Sequence, residues 1–162
     1  MALGLLAFIF SQVYTGKPSS GRIKTDKNTV DKSLLFKKEG ELVIIRNDTD
    51  TISQIDIEYA NNPYKIERGL MYRKEMQINQ GMLFIMPIEK MQSFWMKNTF
   101  LPLDIIFIDG NGIIGSVQKN TEPFAMASLP SELPAKYVLE VNAGFWDKFG
   151  LEKGDKIVFK SI

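Results

Sequence analysis

The chain has 162 residues, of which 44% are hydrophobic, 11% aromatic and 24% charged: enough for one globular domain with a buried core, too few for two of ordinary size. Lys and Arg total 20 against 19 Asp and Glu, a net charge of +1, so no basic excess points to nucleic acid as a partner. The absence of both Cys and His excludes disulfides, thiolate nucleophiles, Ser-His-Asp relays and zinc sites of the usual Cys or His type.

Met1 to Phe10, MALGLLAFIF, is an apolar run, and no charge precedes Lys17. It is far shorter than the roughly 20 residues needed to cross a bilayer but fits the apolar core of a signal peptide, although the usual basic start is missing. Residues 1–16 are therefore expected to be an export or anchoring segment, giving possible membrane attachment and a periplasmic or membrane-anchored location. With no Cys near Ser11, a lipoprotein anchor is not available. Residues 17–40, with seven Lys or Arg against three Asp or Glu, have the composition of a basic polar linker. Residues 41–162 then form a single β-rich domain, with 13 basic and 16 acidic residues.

Within that domain, Glu41–Asn47 and Thr51–Tyr59 are rich in β-branched residues, and Asp48-Thr49-Asp50 between them predicts a hairpin. The spacing of Ile52, Ile55 and Ile57 does not alternate perfectly. Asn62-Pro63 opens a helix, since Asn caps well and Pro is tolerated at the first helical position, and the helix should run to about Met71. Met82–Met86 and Gln92–Asn98 read as strands suited to pair antiparallel. Leu103–Asp109 and Ile113–Asn120 flank Gly110-Asn111-Gly112, whose residues accept positive φ cheaply, so this is a second hairpin. Thr121–Pro134 reads as a long loop. Tyr137–Asn142 is a strand, Ala143–Phe149 a short helix ended by Gly150, and Lys156–Lys160 a last strand. The expected fold is α+β, mainly β: a small, partly open β-barrel or strongly curved sheet with two short helices.

Glu67–Met71 (ERGLM) with Arg73, Gly81–Phe84 (GMLF), Phe94–Thr99 (FWMKNT), Pro102–Asp109 (PLDIIFID) and Tyr137–Phe145 (YVLEVNAGF) together resemble the domain of unknown function 192 family. The resemblance spans Ile55 to about Phe159. It implies a β-rich domain, commonly exported in bacteria, with no established activity. Residues 121–134 lack the cysteines that some relatives place there, so no role for a bridged loop carries over.

Alternation along a strand would place Trp95, Lys97 and Thr99 on one face and Phe94, Met96 and Asn98 on the other. Indole, ammonium and hydroxyl together form a platform for a sugar, peptide or other polar ligand; the plainer alternative has Trp95 in the core and Lys97 snorkelling outward. Asp104 and Glu140 each stand among apolar strand neighbours, where an unpaired charge is expensive. Arg68, Arg73 and Lys97 are the available cations, and an ion pair of Arg68 with Asp104 or Glu140 is the structural explanation. The functional alternative makes Asp104 and Glu140 an acid and base pair of a hydrolase. Gly69 marks close packing or a helix end. The eight methionines are core filler before they are soft metal ligands. In GLEKGDKI (150–157), Asp155 can bond backbone amides of a turn. No phosphate-cradling glycine loop is present.

The expected function is an exported, non-catalytic domain binding a small polar ligand or a cell-envelope partner through Arg68, Trp95, Lys97, Asn98, Thr99, Asp104 and Glu140. A carboxylate-dependent hydrolase and a structural envelope module are the alternatives. No cofactor, no metal and no nucleic-acid partner is expected.

Overall fold

A computed structural model describes residues 34–162; the expected export segment, and most of the expected linker, lie outside the described residues. Strands β1 (Gly40–Arg46) and β2 (Asp50–Ala60) form the first hairpin. Its turn uses Asn47 and Asp48 at φ 53 and 61, the left-handed conformation that suits the twist of a tight hairpin. The irregular isoleucine spacing has a physical cause. Ile44 pairs with Ser53 and Ile45 with Thr51, leaving Ile52 as the extra residue of a bulge.

The expected linker ends earlier than its composition implied. Glu39 accepts bonds from the Tyr59 amide (2.8 Å) and Lys65 Nζ (3.1 Å), and the Lys37 amide donates to Glu58 Oε1 (3.0 Å). Residues 37–39 are thus tied to β2 as part of the domain.

Helix α1 (Pro63–Arg68) starts as expected, with the Asn62 side chain accepting from the Lys65 amide. It stops three residues short of Met71 because Gly69 adopts φ 49, ψ −135, a conformation open only to glycine. The chain then returns to β3 (Gln80–Lys90), which lies parallel to β2. Parallel neighbours need a crossover, and residues 61–79 supply it.

The expected pairing of residues 82–86 with 92–98 does not form. Instead β3 is a central strand between β2 and β8 (Ala135–Asn142). Met82, Leu83 and Phe84 are all buried, the continuous apolar text of a strand covered on both faces. Only Ser93–Phe94 of the second segment is a strand, β4. It pairs with β7 (Leu129–Pro130), a short element inside the region expected to be a plain loop.

Strands β5 (Leu103–Ile108) and β6 (Ile114–Thr121) form the second hairpin. The Asp109 carboxylate accepts the amides of Asn111 (2.9 Å) and Ile113 (2.8 Å), and Gly112 takes φ 83. Helix α2 (Phe145–Lys148) and strand β9 (Lys156–Ser161) complete the domain.

The main sheet has the order β6-β5-β8-β3-β2-β1-β9. It curls until its edge strands touch at one bridge, Ile113 with Lys156. No continuous ladder closes the seam, so the sheet is strongly curved and open rather than a closed barrel. Its two faces carry separate cores. One gathers Leu42, Ile44, Ile57, Ile106, Leu139, Val141 and Phe145; the other gathers Leu70, Met82, Phe84, Met96, Ile105, Phe107 and Val138.

Candidate functional site

Register places Glu58 of β2, Met82 of β3, Glu140 of β8 and Ile105 of β5 in one row across the sheet. This row lies on the face that holds Leu70 and Phe84, so the crossover brings its own side chains to it. Arg73, almost fully buried, forms an ion pair with Glu58 Oε2. Both Glu58 oxygens are thereby engaged, since Oε1 accepts the Lys37 amide.

Glu140 is different. It is 5% exposed, and its Oε2 has no hydrogen-bond partner among the described residues. Burial pushes its pKa up to about 8, opposed by a hydrogen bond from the Leu70 amide and by the positive charge of Arg73. At neutral pH the side chain is a neutral acid that can both donate and accept a hydrogen bond.

Above this carboxyl lies a cavity of about 210 Å³. Phe84, Phe94, Met71 and Met86 contribute apolar walls, while Arg68, Trp95 and Thr99 also border it. The crossover approaches closely at Gly69, where a β-carbon would stand 3.1 Å from Phe84 Cζ and 3.5 Å from Glu140 Oε2. A second depression of about 420 Å³ shares Glu67, Arg68, Met71 and Trp95 with the first and adds Tyr64, Tyr72, Lys97 and Asn98. Its side chains hold one another in place. Arg68 Nη1 donates to Tyr64 Oη (2.6 Å), and Asn98 Nδ2 donates to Tyr72 Oη (2.8 Å). The Tyr72 amide donates back to the Asn98 carbonyl (2.8 Å), with both residues at positive φ.

Trp95 is 43% exposed and Lys97 Nζ sits 4.9 Å from its ring centroid, so the indole is a rim residue and Met96 the buried one. The structure therefore gathers six of the seven expected residues into one region: Arg68, Trp95, Thr99 and Glu140 border the inner cavity, and Lys97 and Asn98 the outer depression.

Asp104 is not among them. In the antiparallel ladder Asp104 stands opposite Val141 and Glu140 opposite Ile105, so the two carboxyls emerge on opposite faces of the sheet. Asp104 is fully buried and accepts the Asn120 amide (2.8 Å) and the Trp146 amide (2.9 Å). It fastens β6 and α2 to β5. This corrects both expectations placed on it: it is no acid and base partner of Glu140, and backbone amides rather than Arg68 satisfy its oxygens. The buried ion pair is Arg73 with Glu58, and Glu58 carries the same signal as Glu140, a carboxylate between apolar strand residues. The walls Phe84, Phe94 and Met86 had no signal separating them from core.

The chain belongs to the DUF192 family, described as Uncharacterized ACR, which it matches over residues 43–159. A crystal structure from Sinorhizobium meliloti 1021, described as a candidate transcription regulator, is 35% identical, with a TM-score of 0.72 over 77% of this chain and 96% of that one. A protein of unknown function from Novosphingobium aromaticivorans DSM 12444 is 30% identical, with a TM-score of 0.69 over 73% of this chain and 83% of that one. Comparison with curated proteins gives no match.

Proposed function

We propose that this DUF192 domain is a binding module whose cavity above Glu140 takes a small ligand with an apolar body and a polar head. The observation that carries this reading is the carboxyl of Glu140, a residue that lines the cavity and whose buried Oε2 has no partner among the described residues. An unmade hydrogen bond at a buried polar atom costs about 1–3 kcal/mol, a cost a ligand would relieve. The aromatic and methionine walls suit an apolar body.

A polyhydroxylated sugar fits less well, because its hydroxyls would need several partners. The Ser93 hydroxyl is bonded to that of Ser128 (2.7 Å) and Thr99 Oγ1 to the Lys97 carbonyl (3.2 Å). Hydrolysis by Asp104 and Glu140 as a pair is disfavoured by their placement on opposite faces of the sheet. Groove reading of DNA by a recognition helix, which the Sinorhizobium relative's description would suggest, is disfavoured because the helices among the described residues are six and four residues long. The apolar run Met1–Phe10 supports export of this module, testable by cell fractionation.

The binding test is a thermal-shift screen of the full chain against amino acids, amines, amides and muropeptides, since a ligand of the native state raises the midpoint by mass action. The expected result is a reproducible rise that Trp95→Ala abolishes while its own unliganded midpoint stays near that of the wild type. A rise that survives in Trp95→Ala and in Phe94→Ala, or no rise with any compound, would overturn the reading.

A further inference from the structure

We infer that the polar head taken by the cavity is an ammonium group on an apolar stem, seated against the Glu140 carboxyl. This deepens the binding reading and rests on it.

The argument begins with what the cavity offers. Glu140 lines it and its buried Oε2 has no hydrogen-bond partner among the described residues, while the hydroxyls of Ser93 and Thr99 each already make one hydrogen bond. The rings of Phe84, Phe94 and Trp95 border the same space, and aromatic faces attract cations. The thioethers of Met71 and Met86 add polarisable surface that accommodates a methylene stem. Trp95 already carries one ammonium, that of Lys97, 4.9 Å from its ring centroid. A neutral amide or alcohol would meet the carboxyl through neutral hydrogen bonds alone, whereas an ammonium gains a charge-assisted bond and the ring contacts together.

The surrounding charges leave the proton on Glu140 as the variable. Arg73, the cation that acts on Glu140, is itself paired with Glu58. From the crossover, Arg68 and Glu67 border the cavity with opposite signs, and Lys97 faces the outer depression. Met82 of β3 and Ile105 of β5 flank Glu140 without charge. Burial pushes the carboxyl up to about 8, so at pH 7 the protonated form predominates. An alkylammonium stays protonated at that pH. The step therefore balances as neutral carboxyl plus ammonium giving a carboxylate–ammonium pair and one proton to the buffer.

The ammonium can come from a free alkylamine or from a lysine side chain of a peptide, and two probes separate these. Titration calorimetry of the full chain at pH 7, in phosphate and in Tris, would use n-pentylamine, N-acetyl-lysine N-methylamide and, as neutral control, pentanamide. At least one amine should bind, with an enthalpy that differs between buffers by close to one proton ionisation. Pentanamide should bind about tenfold or more weakly, and Glu140→Gln should weaken the amine about tenfold or more. Binding of pentylamine alone identifies free amines, and of the lysine probe alone peptides; either supports the inference.

Equal binding of pentanamide, amine binding without proton release, or undiminished amine binding in a folded Glu140→Gln variant would overturn it. If that variant does not fold, the buffer dependence of the wild type decides. Trp95-dependent binding of pentanamide with neither amine bound sinks the ammonium and leaves the cavity reading standing. No binding of any probe, with an empty thermal-shift screen, sinks both.

Discussion

Replacing Glu140 by Gln should remove a large pH dependence of stability from this domain. The unfolded carboxyl ionises near its ordinary value of 4.5, while the folded one holds its proton to about 8. Between those values the native state binds the extra proton, so native stability is full below about 4.5 and falls as pH rises toward 8. The slope is about 1.4 kcal/mol per pH unit, and the loss from pH 4.5 to 7 is on the order of 3 kcal/mol. Gln keeps the shape and can still accept the Leu70 amide but does not titrate. Its own cost, an amide facing the cavity, is the same at every pH. The pH-dependent part of the difference between the two proteins therefore isolates the Glu140 proton, because other groups titrate alike in both. Urea unfolding at several pH values from about 4.5 to 8.5 measures it. The variant should gain on the wild type by on the order of 3 kcal/mol between pH 4.5 and 7. A difference flat to within about 0.5 kcal/mol, the scale of unremarkable surface changes, would refute a buried neutral carboxyl at this position.

Three further outcomes follow from the geometry. Asp104→Ala strips the acceptors from the Asn120 and Trp146 amides and should destabilise by about 2–4 kcal/mol in denaturant titration, while any ligand affinity of the opposite face stays unchanged. Gly69→Ala must hold a residue with a β-carbon at φ 49, ψ −135 and press on Phe84, which should cost about 1–3 kcal/mol by the same assay. Arg46 clasps Asp155 through Nε and Nη2, at 2.7 and 2.9 Å; that guanidinium, and then the Glu152 amide, hold the Asp155 carboxyl below its usual range against burial, which raises it. Arg46→Ala should lower stability at pH 7 in the same assay. The difference should shrink as pH falls below the ordinary Asp value and through the lowered native one.

Local features of this chain are legible wherever a single segment decides them. The hairpin turns, the Asn62 cap and the Asp155 turn each follow from a few adjacent residues. Pairing is another matter, because nothing in residues 82–86 says that two distant strands will cover both sides of them. Asp104 and Glu140 show the same limit at the site. Both stand in apolar strands, and that text states only that each must find a partner. Which partner depends on what other elements deliver: two amides from β6 and α2 to Asp104, an apolar cavity beneath the crossover to Glu140. Trp95 was legible as a candidate ligand platform, with the core as its alternative, because its string mixes indole with cation and hydroxyl. Phe84 and Phe94 were not, since a ring lining a cavity and a ring filling a core are the same letter.

The position of β1 sets the order in which the domain can be assembled. Its hairpin with β2 is local and can form in microseconds, but its other side pairs with β9, and the Arg46–Asp155 clasp joins residues 109 apart in sequence. Contacts that distant wait on a slow chain search, which places such folds toward the millisecond-to-second end of the range. Until β9 arrives, the backbone of residues 40–45 offers an open row of hydrogen-bonding groups beside a strongly apolar strand. Another chain can take that place as well as β9 can. A protein cut after Gly154 should therefore self-associate, and light scattering that stays at the monomer level would show that β1 needs no guard.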